Sequence, residues 1–267
     1  MTVRVYEHPL SPYAQKVKIA LQEKGVPFEA RMPAEIGSGQ VAGEFADASP
    51  RGEVPVLVDG EVRLFDSSVI VAYVEERWPD PPLLPASPAA RAQVRTLEEV
   101  MDTHYEAINW GLAEILAFGR AKGELAQRLI ARAAEQTAAL QAWLGPRLSP
   151  KGWFNGDAFG MGDLCVAPFV NGSAGFGNGP KPGTRLADWL ARVNQRPSVA
   201  AAARAAREAA AQAATSLAAA EQLIRSGRWK REYRDHRLEW MVRSGGLEVV
   251  LDGLAQDNIR FVEFPGR

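Results

Sequence analysis

The chain has 267 residues, a net charge near zero and 46% apolar residues, enough for one large domain or two modest ones around a sizeable core. No long basic run supplies the clustered Lys and Arg that a phosphate backbone needs, so nucleic acid is not expected as the main partner. No apolar run is long enough to span a bilayer, and Cys165, as the single cysteine, excludes an internal disulfide or a cysteine metal cluster; with no apolar signal core in the opening TVRVYEH, a reducing cytoplasm is expected.

In chain order, VRVYEH is β-branched and aromatic and reads as a strand. Ser11 to Lys24 carries Ala14, Val17, Ala20 and Leu21 at helical spacing and stops at Gly25. VPFEARM reads as a second strand, so the opening is a βαβ unit with a parallel pair. Residues 33 to 50 are rich in Gly, Ala and Pro and hold at most one short helix. VPVLVDGEVRLF is a hairpin around Asp59-Gly60, and DSSVIVAYVEERW is a helix that starts at Asp66 or Ser67. The proline-rich PDPPLLPASP then marks a domain boundary.

Beyond it the pattern is all helical. Residues 89 to 118 carry Leu97, Met101, Tyr105, Ile108 and Leu112 on one face, and 124 to 144 make a second helix. LCVAPFV after Asp163 reads as a buried helix, and 184 to 194 as another. The alanine-rich run from about 198 to 225 reads as one long exposed helix, since alanine is the best helix former. WKREYRDHRLEWMVRSGGLEVVLDGL reads as two short amphipathic helices split at Gly245-Gly246, with NIRFVEFP as an extended tail. The expected units are 1–79, 89–220 and a C-terminal extension, 221–267.

Three features of the first unit point to one kind of chemistry. Ser11 opens a helix directly after a strand. Val54-Pro55 precedes a hairpin strand, where a turn or a cis bond would leave the Val54 backbone free to pair with an extended peptide. Asp66-Ser67 opens the third helix, whose free N–H groups and dipole suit a carboxylate while the aspartate suits an amine. A γ-linked peptide with a thiol would satisfy all three.

Over about residues 3 to 200 the chain resembles the cytosolic glutathione transferases of the serine type, the tau and zeta classes and their bacterial relatives. SPYAQKVKIALQEKGVPFE resembles their first helix, SPRGEVPVLVDG their cis-proline turn, LFDSSVIVAYVEERWP their third helix and GDLCVAPFV the start of their sixth. The resemblance implies a thioredoxin-like α/β domain followed by an all-helical domain, a homodimer, glutathione as co-substrate, no metal, and detoxifying conjugation. It implies that Ser11 donates a hydrogen bond to the glutathione thiolate, that Val54, ahead of Pro55, pairs with the cysteinyl backbone, and that Asp66 and Ser67 hold the γ-glutamyl end. Gln40 is the candidate for the glycine carboxylate. Leu10, Tyr13, Tyr105, Asn109 and Trp110 are candidates for the electrophile pocket. The energetics allow the serine role: lowering a thiol pKa by two units takes roughly 2.7 kcal/mol, and a hydrogen bond to a charged group gives about 1.5–3.

Each feature has a plainer reading. Ser11-Pro12 is a good N-cap followed by proline at the first helical position, and Asp66 is a cap in its own right. Tyr105, Asn109 and Trp110 could be core. Asp163 is expected to be structural, with Gly160 where the family often has Ser or Thr, and Cys165 to be inert core. Glu53 departs from the Lys or Gln of many relatives, so a basic contact is missing or comes from elsewhere. The extension could cap the helical domain or cover the pocket or the dimer surface. The rival functions are a glutathione-dependent isomerase or lyase and a non-catalytic binding protein of the same fold.

Overall fold

In the computed structural model, which describes residues 2–33, 36, 43–215 and 217–261, the β-branched segment Val3–Tyr6 forms β1 and pairs in parallel with β2 (Phe28–Arg31). A parallel pair needs a crossover, and α1 (Pro12–Glu23) supplies it, burying Ala14, Val17, Ala20 and Leu21. After the short α2 (Gly43–Ala48), β3 (Val56–Asp59) and β4 (Val62–Phe65) form the hairpin, with Gly60 at φ 61° in its turn. The sheet order is β2-β1-β3-β4, with β3 antiparallel to both neighbours, and α3 (Ser67–Arg77) closes the unit. This is the thioredoxin-like arrangement.

The rest is mainly helical: α4 (Pro88–Val100), α5 (Glu106–Leu116), α6 (Gly123–Leu144), α7 (Met161–Gly175) and α8 (Arg185–Val193). One continuous core joins the two parts, with Val5, Ile19, Leu57 and Ile70 in the same cluster as Leu164, Phe169 and Trp189. Asp163 caps α7 from within this core. Its carboxylate accepts from Phe154 N (3.0 Å), Gly160 N (3.1 Å) and Trp189 Nε1 (2.8 Å). Gly160 has a steric cause, because a Cβ there would lie 2.4 Å from the Leu83 carbonyl oxygen.

Three sequence expectations need correction. The pattern over 89–118 is not one regular helix: Met101–Tyr105 is a π turn between α4 and α5, and the Glu106 N–H reaches back to Met101 O. The alanine-rich run is two helices, α9 (Pro197–Ala214) and α10 (Leu217–Arg225). Thr215 ends the first, because its N–H and its hydroxyl both turn back to Gln212 O. The C-terminal part is also not wholly helical. Arg231–Glu232, in the stretch expected to be helical, is a strand (β5) that pairs in parallel with β6 (Ile259–Arg260), which lies in the segment expected to be extended.

The extension's two helices, α11 (Asp235–Arg243) and α12 (Leu247–Ala255), pack with α5 and α6 in a second core that includes Ile108, Leu112, Leu129, Trp240 and Met241. The Trp240 ring lies on Gly111, where a Cβ would sit 2.1 Å from it, and its Nε1 donates to Gln136 (2.6 Å). The extension therefore caps the helical part.

Candidate functional site

Ser11 is the N-cap of α1. Its backbone is extended (φ −76°, ψ 113°), and its Oγ accepts from Ala14 N at 3.2 Å. That bond uses a lone pair, so the hydroxyl proton remains available to a ligand. Pro12 sits at the first helical position and brings no N–H of its own. Cap and donor are thus compatible roles for one half-buried serine. The other hydroxyl of this segment is committed: Tyr13 donates to the Asp102 carbonyl at 2.7 Å, and burial holds its pKa well above the ordinary value. Leu10 is 42% exposed beside Ser11, a free apolar surface at the mouth of α1.

The Val54–Pro55 bond is cis, Pro55 is buried, and the ladder registers of β3 begin at Val56. Because Val56 pairs with Phe65, Val54-Pro55 lies beside the start of α3. There Asp66 caps the helix, its Oδ1 accepting from Ser68 N (3.0 Å) and Val69 N (3.3 Å). Asp66 has φ 75°, a left-handed conformation that costs a non-glycine residue about 1–3 kcal/mol. Such strain is concentrated at ligand sites. Ser67 is buried next to it. Sequence reasoning missed Arg51, whose guanidinium stands 3.9 Å from Asp66 Oδ2 and over the Phe65 ring. Ser11, Val54, Pro55, Asp66 and Ser67 thus lie on the ends of α1, β3 and α3 in one sheet-and-helix layer. Gln40 lies outside the described residues.

Of the three α5-side candidates, Tyr105 is fully buried and its hydroxyl bonds Ser173 Oγ at 2.8 Å. Asn109 donates to Phe169 O at 2.9 Å, which ties α5 to α7. Trp110 is covered by the extension, edge-on to Tyr233 with 4.7 Å between ring centres. Cys165 is fully buried, and burial raises its thiol well above the ordinary range, so it is no nucleophile. Among the described residues no group of His, Cys, Asp or Glu is placed to hold a metal ion. A cleft of about 400 Å³ opens between α3 and α4, lined by Ser68, Val71, Arg95, Glu98 and Asp102. Ser11, Val54 and Asp66 do not line it, so this cleft is a different feature.

Known proteins are similar to this chain in sequence and in fold. Residues 5–82 match the family model described as the glutathione S-transferase N-terminal domain. Glutathione S-transferase GstB of Escherichia coli K12 is 30% identical over 196 residues, 71% of this chain and 91% of GstB. The chain belongs to the glutathione S-transferase family. Another similar protein carries a different name: a stringent starvation protein A homolog of Haemophilus ducreyi is 29% identical over 159 residues, covering 59% of this chain and 68% of that protein. Among solved structures, a tau class glutathione S-transferase from mango superposes with a TM-score of 0.67 at 24% identity, covering 80% of this chain and 98% of that one, a likeness of fold. The likeness of fold spans both the sheet unit and much of the helical part, since it covers 80% of this chain.

Proposed function

We propose that the chain is a glutathione transferase of the serine type that binds glutathione as co-substrate and joins its thiolate to a small apolar electrophile. The observation that carries this reading is Ser11: its Oγ accepts from Ala14 N and keeps its proton free, at the N-terminus of α1. In the proposed complex the Ser11 hydroxyl donates to the thiolate and α1 adds its dipole. Val54 pairs with the cysteinyl backbone. Asp66 and Ser67 take the γ-glutamyl ammonium and carboxylate. The thiolate then attacks the electrophilic carbon and the leaving group departs with its electron pair. Ser11 only holds the thiolate; it is neither base nor nucleophile. Leu10 and the Tyr13 ring line the electrophile side; Tyr105 and Asn109 are bonded to α7 and Trp110 is covered by Tyr233, so the reading does not assign them to it.

The units 1–79, 89–220 and 221–267 serve in this reading as glutathione-binding domain, helical domain and extension. The protein acts as a cytoplasmic homodimer, which light scattering on the purified protein tests. Ser11→Ala is expected to raise the pKa of bound glutathione, read from thiolate absorbance, by about one to two units, and to cut turnover of chlorodinitrobenzene about 10- to 100-fold. An unchanged thiol pKa would remove Ser11 from the mechanism. The second reading is a non-catalytic glutathione-fold protein, favoured by relatives that are named stringent starvation protein A and not transferase. Glutathione binding without turnover of chlorodinitrobenzene or of maleylacetone analogues, the isomerase substrates, would select it.

A further inference from the structure

The extension does more than cap α5. Its first turn reaches the shoulder of the candidate site. Arg234, the N-cap of α11, places its Nη1 3.9 Å from Oε2 of Glu53, the residue that precedes Val54. At 3.9 Å this is not a hydrogen bond, and among the described residues no hydrogen bond to the Arg234 side chain is found. The same guanidinium acts electrostatically on Tyr13, two residues after Ser11. Arg234 therefore stands beside the residue that precedes the Val54 turn.

Its neighbours differ in kind. Arg237 is hydrogen-bonded to Glu106 (2.6 Å), Arg260 to Glu232 (2.6 Å), and Arg231 to Glu114 (2.5 Å). Arg234 is 30% exposed and has no such partner, yet the flanking backbone is fixed: Tyr233 N donates to Arg260 O (3.0 Å) and the Tyr233 ring packs on Trp110. The nearby carboxyl competes weakly for it. Burial, and then the adjoining Glu232, push the Glu53 carboxyl up to about 8, so it is largely neutral at pH 7. A rigid, exposed guanidinium with no hydrogen-bonded carboxylate, though Glu53, Glu232 and Asp235 lie within its electrostatic reach, is suited to a bidentate grip on a carboxylate.

Glutathione carries two carboxylates and a thiolate. The start of α3, with Arg51 beside it, suits the γ-glutamyl carboxylate, and the start of α1 suits the thiolate. A peptide anchored at α3 by one end and paired at Val54 in its middle directs its other carboxylate away from α3. We propose that Arg234, from the C-terminal extension, binds the glycine carboxylate of glutathione and so makes the extension part of the glutathione site. This rests on the glutathione reading above.

The test is titration calorimetry with glutathione and with its glycine monoethyl ester, which lacks only that charge, on the full-length wild type, Arg234→Ala and Arg234→Lys. The wild type is expected to bind glutathione about tenfold or more tightly than the ester. Arg234→Ala is expected to bind the two equally, at the wild-type affinity for the ester, and Arg234→Lys to fall between. Thermal midpoints of the variants check that the fold is retained. If Arg234→Ala still prefers glutathione to the ester as the wild type does, the assignment is wrong while the glutathione reading stands. A variant that changes only the KM of a carboxylated electrophile overturns it equally. If the wild type binds neither ligand, both the assignment and the glutathione reading fall.

Discussion

Two of the buried charge clusters among the described residues are built differently. At the junction of α1, α3 and α4, Lys16 is fully buried and donates to Glu98 (3.0 Å) and Asp102 (2.6 Å), both of which also take the Ser68 hydroxyl. Burial opposes the lysine's charge, but Asp102 and then Glu98 outweigh it and raise its pKa. This cluster closes on itself and fastens the sheet unit to the helical part. Around the extension, Glu106 takes Arg237 and His236, and Glu232 takes Arg260, but one guanidinium, Arg234, and one neutral carboxyl, Glu53, are left at the edge of the site. Buried charge alone therefore does not mark a site. Charge that is held in place and still uncommitted does.

The largest expected effect breaks the closed cluster. Lys16→Met leaves Glu98 and Asp102 buried without their cation, and removing one partner of a buried pair costs about 3–5 kcal/mol. Urea unfolding should show that loss, and adding Glu98→Gln and Asp102→Asn should recover part of it, because the stranded charges are then gone. A loss within 0.5 kcal/mol, the usual range for surface substitutions, would show that the cluster is no lock.

A smaller effect should be confined to the other region. Gly111→Ala drives a methyl into the Trp240 ring, and overpacking of this kind costs about 1–3 kcal/mol. The damage should appear as faster proteolysis beyond residue 226 and altered tryptophan emission. The thiol pKa of bound glutathione, set by Ser11, should not move. If it moves with the extension, the two regions are not separable and the contrast between them fails.

The parts of the site that could be read from sequence are those whose chemistry is local. Ser11-Pro12, Val54-Pro55 and Asp66-Ser67 each announce themselves through a cap or a proline, and each role is decided within a few residues. The helices of the second part were legible for the same reason, as periodicity. What periodicity does not fix is which neighbour a face meets. Tyr105 and Asn109 lie on the expected face, but α7 supplies Ser173 and the Phe169 carbonyl to satisfy them, and Trp110 is covered by Tyr233 from the far end of the chain. Arg234 was visible in WKREYRDHR as one charge among several. Only the fold shows which arginine of that run has no hydrogen-bonded carboxylate among the described residues. The π turn at Met101–Tyr105 leaves no compositional trace, since it adds one residue to a pattern that otherwise continues.

The smallest expected effect concerns Glu53, and it sharpens the contrast from the side of pH. The groups that act on it are Glu232, Arg234 and Arg237, with burial the main cause of its raised pKa. An unfolded glutamate titrates near about 4.3, and the folded one at about 8. Between those values the folded state holds a proton that the unfolded state has released. The stability that goes with the neutral carboxyl is therefore complete below the unfolded pKa and is lost as pH rises towards the folded one. Glu232, held low chiefly against burial by Glu53 and the arginines, has the opposite dependence and acts only at acid pH. The wild-type thermal midpoint should therefore decline from pH 6 to pH 8.5, while Glu53→Gln, neutral throughout, should show a flatter profile. The difference should be a few degrees, since 1 kcal/mol shifts the midpoint of a chain of this size by about 2–4 °C. Glutathione affinity should decline over the same interval in the wild type, because an ionised Glu53 competes for Arg234, and should hold level in Glu53→Gln. Parallel profiles for the two proteins would show that Glu53 is already charged at neutral pH and that Arg234 is committed to it.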